Sequence, residues 1–127
     1  MGIVLHAIVE FQVVLENRSY WENIAEFQLN KHPFRLALAL VENPKVHSRW
    51  PEDVSIERWE REEKCIECGL RCCDLPTLAA IVERGQRGWD PTNSEEGPFL
   101  GTPAAIVAFM RSFENEGIAT RILFYES

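Results

Sequence analysis

The stretch IVLHAIVEFQVVL, residues 3–15, most narrowly limits what this chain can fold into. Laid out as extended chain, it puts Leu5, Ala7, Val9, Phe11 and Val13 on one side and Val4, His6, Ile8, Glu10 and Gln12 on the other. A period of two is the mark of a half-buried strand. After the turn-like ENRS, the stretch YWENIAEFQL offers a hairpin partner, with Trp21, Ala25, Phe27 and Leu29 alternating against Glu22, Ile24, Glu26 and Gln28. IATRILFYE, residues 118–126, is rich in β-branched and aromatic residues and predicts a strand that pairs with the first in a central position.

Helical signals lie between these strands. HPFRLALALVEN begins with Pro33 where a missing N–H costs nothing, carries apolar residues nearly all round, and predicts a buried helix ending before Asn43-Pro44. PKVHSRWPEDVS has two prolines and no period, so it reads as a loop leading to a short helix, SIERWEREEK, with Glu57/Arg61 and Glu60/Lys64 as i,i+4 pairs. Asp74 is placed to cap a helix over Leu75, Leu78, Ala79 and Val82. A Gly/Pro/Ser/Asn-rich connection follows, and then Thr102 and Pro103 open a helix with Ile106, Phe109, Met110 and Phe113 on one stripe and Gly117 as its stop. The order β-β-α-(α)-α-α-β predicts one α+β domain over residues 1–127, a small antiparallel or mixed sheet with helices packed on one face.

At 127 residues, with 46% hydrophobic and 26% charged side chains, the composition is globular and long enough to bury roughly two-thirds of the unfolded surface without disulfide or metal. No apolar run is long enough to span a bilayer and the start has no basic n-region, so a cytoplasmic protein without a membrane partner is expected. The net charge of -7 argues against duplex DNA as a partner, since phosphate binding draws on a basic face, and suits a basic partner instead.

All four cysteines fall between residues 65 and 73, spaced C-x2-C-x3-C-C. Cys65 and Cys68 have the spacing of one zinc knuckle, and a turn at Gly69 brings Cys72 toward the same ion, with His47 or Cys73 as fourth ligand. The second knuckle that structural zinc usually takes is missing. Reduced thiols in a connector between two helices are therefore the favoured reading, with zinc the alternative and no other cofactor expected. A bond between adjacent Cys72 and Cys73 would be strained. His6, His32 and His47 are scattered, and no nucleophile or paired carboxylate stands beside them at a recognisable spacing. The sequence has no phosphate-binding Gly-rich loop, G-x-S-x-G or H-E-x-x-H motif, so any catalytic site would have to be assembled in three dimensions.

Two groups suit binding. His6, Glu10, Gln12, Glu22, Glu26, Arg121 and Tyr125 are expected on the sheet face turned from the helices, either a plain solvated surface or a docking surface for a partner or a second copy. Arg49, Trp50, Arg84, Arg87 and Trp89 are expected in loops as exposed aromatics and guanidinium groups. Such groups suit phosphate pairing and base stacking, and are equally frequent as protein–protein anchors.

HAIVEF, FRLALALV, RWPEDVS, DLPTLAAIV and TRILFYE, taken in that order, resemble a group of small proteins encoded by tailed bacteriophages and prophages. The resemblance covers most of the chain and its motifs are structural. Where that group has a His/Ser-rich segment before the Leu-rich helix, this chain has Arg71-Cys72-Cys73, so no role for the cysteines follows from it. It implies a non-enzymatic accessory protein, of the kind that sequesters a signalling nucleotide or blocks a host defence factor. The alternatives are an acidic inhibitor of a nucleic-acid-binding host protein, a small metal-dependent nucleotide hydrolase using Cys65, Cys68 and a histidine, and a role in virion assembly.

Overall fold

A computed structural model describes residues 5–29, 33–54, 71–87 and 102–126. Four strands and three helices run in the order β1 (Leu5–Val14), β2 (Ser19–Leu29), α1 (Pro33–Glu42), β3 (Arg71–Asp74), α2 (Leu75–Arg87), α3 (Thr102–Glu114) and β4 (Thr120–Glu126). The strands form one sheet in the order β2-β1-β4-β3, and every pairing is antiparallel. The α+β class, the first hairpin and the central pairing of the last strand with the first are as the hydrophobic periods predict. The predicted helix over 55–64 lies outside the described residues.

The main core fills the space between one sheet face and the helices. Leu5, Ala7, Val9, Leu29, Cys73, Ile122 and Phe124 from the sheet meet Leu36 and Leu40 of α1, Leu75, Leu78, Ile81 and Val82 of α2, and Ile106, Val107 and Met110 of α3. At 20–33 cal/mol for each Å² of apolar surface removed from water, this cluster is the chief stabilising element. The helix ends follow their chemistry. Asp74 Oδ1 accepts the Thr77 N–H at 3.0 Å and caps α2. Gly117, at φ 82°, closes α3 with N–H bonds from Gly117 to Glu114 O and from Ile118 to Phe113 O, the paired bonds of a left-handed helix stop.

Three expectations are corrected. Cys72 and Cys73 lie within the edge strand β3, not in a helix-to-helix connector, because β4 offers an open edge for residues 71–74 to pair with. Helix α1 is not buried all round: Leu36 and Leu40 face the sheet, and Leu38 and Val41 are turned to solvent. The β1–β2 pairing slips between Val9 and Glu10, where Ile24 is inserted as a bulge, so Val9 faces Ala25 but Glu10 faces Asn23. One extra residue reverses every side chain beyond it. Trp21 therefore shares a side with Gln12 and Glu10, away from the helices, while Glu22 pairs with Phe11 on the helix side.

Candidate functional site

The sheet face opposite the helices is not the open polar surface its composition suggests. Directly opposed residues of β1 and β4 point to the same side, and here they are His6 with Tyr125, Ile8 with Leu123, and Glu10 with Arg121. Residues 43–54 cross this face as a strap. His47 exchanges both backbone hydrogen bonds with Cys72, at 2.8 and 3.1 Å, and so extends the sheet by one bridge beyond β3. Three residues on, Trp50 enters a second core made with Ile8, Cys72, Leu123 and Tyr125, against which Val54 packs. Its indole Nε1–H is shared between Arg71 O at 3.0 Å and Phe124 O at 3.1 Å, so the ring is buried with its one donor satisfied.

Past this core the face becomes a closed polar network. Arg121 donates from Nε to Glu10 Oε1 at 2.7 Å, from Nη1 to Asp53 Oδ1 at 3.0 Å and from Nη2 to Asp53 O at 3.2 Å. Its guanidinium carbon lies 4.0 Å from the centroid of the Trp21 ring, a cation–π contact made by the bulge-shifted register. At the other end Tyr125 donates its hydroxyl to Glu26 Oε1 at 2.6 Å and stacks on His6, with ring centroids 4.4 Å apart. Of the surface expected from His6, Glu10, Gln12, Arg121 and Tyr125, Glu10, Arg121 and Tyr125 are buried; Glu10 and Arg121 are paired with each other, and the Tyr125 hydroxyl is held by Glu26. His6 and Gln12 are half-buried.

The predicted ligand group is dispersed. Arg49 is exposed on the strap and Trp50, next to it, is 2% exposed, so no stacking plane faces a ligand there. Arg87 is the last residue of α2, and Trp89 lies outside the described residues. Arg84 does line a cavity. It occupies, with Leu38, Ala39, Glu42, Asn43, Pro44, Ala80, Ile81 and Gly85, a groove of about 500 Å³ between α1 and α2, within the size range of specific binding sites. Leu38 and Val41 are 47% and 51% exposed on the same helix. Sequence reasoning missed Leu38, Val41 and Glu42, although a helix apolar on every side next to a sheet with one helical face already carried the signal.

Cys65 and Cys68 lie outside the described residues. Cys72 and Cys73 occupy successive positions of a strand, so their side chains enter the second core and the main core respectively, on opposite sides of the sheet. That geometry rules out one metal ion bound by both, and equally a bond between them. Among the described residues no group of three or more His, Cys, Asp or Glu side chains is placed to hold a metal. Burial pushes the Cys72 thiol up to about 11, against a smaller lowering by the nearby Arg121 guanidinium. It pushes the Cys73 thiol higher still, with Cys72 beside it adding to the effect. Both sulfurs are protonated and unreactive at neutral pH. Asp74 is held below the usual carboxylate range by its hydrogen bonds to Thr77.

Among the described residues no helix is long and apolar enough to cross a membrane. No protein family, no curated protein and no solved structure matches the chain.

Proposed function

We propose that this chain is a non-enzymatic binding protein that acts by occupying a protein partner, with the groove between α1 and α2 as its seat. The observation that carries the reading is the groove itself, whose lining combines the apolar Leu38, Ala39, Ala80 and Ile81 with the opposite charges of Glu42 and Arg84. Protein seats mix apolar and charged groups in this way. The ionisable groups on the other sheet face support it too, because Arg121 is engaged with Glu10 and Asp53, and Tyr125 with Glu26. A host defence factor as that partner is the part of the reading that draws on the resemblance to small phage and prophage proteins. Burial of Trp50 removes the aromatic plane a nucleotide would have used beside Arg49.

A photo-crosslinking residue placed at Leu38, in host lysate, tests this. One crosslinked protein is expected, lost when Arg84→Glu is added, while the same probe at exposed Glu116 captures nothing. A nucleotide-sized mass retained in the native mass spectrum and removed by Arg84→Ala would replace the reading with sequestration of a small anion.

A further inference from the structure

The large apolar side chains that the described residues leave exposed fall in two places. Leu38 and Val41 stand on the helix that walls the groove; Val14, Leu15 and Tyr20, exposed by 73%, 46% and 36%, stand at the tip of the β1–β2 hairpin. That tip projects. β4 follows β1 only as far as Phe11, opposite Thr120, whereas β2 follows it to Val14, opposite Ser19. The turn is tight: Leu15 N donates to Arg18 O at 2.7 Å and Arg18 N to Leu15 O at 3.4 Å around Glu16 and Asn17, and the Arg18 guanidinium lies 5.4 Å over the Tyr20 ring. A finger already held in shape loses little conformational freedom on docking.

Finger and groove are complementary in charge. The finger carries exposed Val14 and Leu15 next to acidic Glu16 and basic Arg18; the groove lining joins Leu38, Ala39, Ala80 and Ile81 to basic Arg84 and acidic Glu42. We infer that a second copy of this chain seats its hairpin tip in the α1/α2 groove, with Val14 and Leu15 against the apolar lining, Glu16 toward Arg84 and Arg18 toward Glu42. This rests on the reading of the groove as a seat for protein, and adds that a partner must displace a finger of the chain's own kind. The contact is heterologous, so one surface can be changed without the other.

Sedimentation of the full chain across a wide concentration series tests it. The mass is expected to rise above that of a monomer, and Leu15→Asp or Arg84→Glu alone is expected to weaken association about tenfold or more. Both positions are at the surface, and unchanged circular dichroism shows that folding is intact. Glu16→Arg combined with Arg84→Glu in one chain restores association, and a mixture of the two single variants associates because it retains one intact finger and one intact groove. A chain monomeric throughout, or one whose association survives both single changes, overturns the proposal. A monomer that still crosslinks to a host protein from Leu38 overturns self-docking alone, and self-association with no host crosslink overturns the host-partner reading alone.

Discussion

Arg121 holds Glu10 across the strand pair at 2.7 Å, in a position where Glu10 has no exposed surface at all. The pair is costly to bury and costlier to break, because removing one member strands the other charge away from water. Arg121→Met is expected to lower the unfolding free energy by about 3–5 kcal/mol. Glu10→Leu with Arg121→Met should recover most of that loss, because the one charge left without its partner, on Asp53, is exposed to water. Urea unfolding of the three proteins checks this, and a double variant no more stable than Arg121→Met contradicts it.

Trp50 pins the strap to the sheet. Trp50→Ala is expected to cost about 3–5 kcal/mol through the cavity it leaves. Trp50→Phe keeps most of the ring but leaves Arg71 O and Phe124 O without their shared donor, at about 1–3 kcal/mol. Urea midpoints read both, and equal losses from the two substitutions would mean that the hydrogen bonds, not the packing, hold the strap.

With Cys65 and Cys68 changed to Ser, only Cys72 and Cys73 remain to report on their cores. Their thiols are expected to resist a thiol reagent at pH 8 in the folded protein and to react promptly in denaturant. The folded Cys72 value lies above the ordinary 9.0, so the folded state holds its proton more tightly than the unfolded state does. The stability this contributes is whole below pH 9.0 and is lost as pH rises through about 11. A midpoint of denaturation that stays flat across that alkaline range would contradict the assignment.

Asp74 titrates in the opposite sense. Its value is depressed by Thr77, so its contribution is present above the ordinary 3.8 and is lost as pH falls below that value through the folded one. Asp74→Ala is expected to cost about 1 kcal/mol at neutral pH, and the difference from the parent protein should shrink in acid. Thermal unfolding of both proteins at neutral and acid pH checks it.

Periodicity in the sequence was enough for most of the architecture. The alternation from Leu5 to Val13, the stripe from Ile106 to Phe113, the Asp74 cap and the Gly117 stop are local signals, and each acts through residues within a few positions of itself. The open side of α1 was half legible: its all-round apolar pattern was visible, but not which part the sheet would cover.

What only the tertiary structure decided are contacts between residues far apart in the chain. The strap turned the polar face into a second core because Trp50 found two backbone carbonyls, one of them 74 residues along the chain. Pairing across 111 residues made Glu10 a buried partner of Arg121 where the local pattern marks a solvated carboxylate. The bulge at Ile24 depends on where two strands meet, and it carried Trp21 onto Arg121. The groove and the hairpin tip became surfaces in the same way. A local pattern states which side chains avoid water, and only the assembled chain states which neighbours remove it.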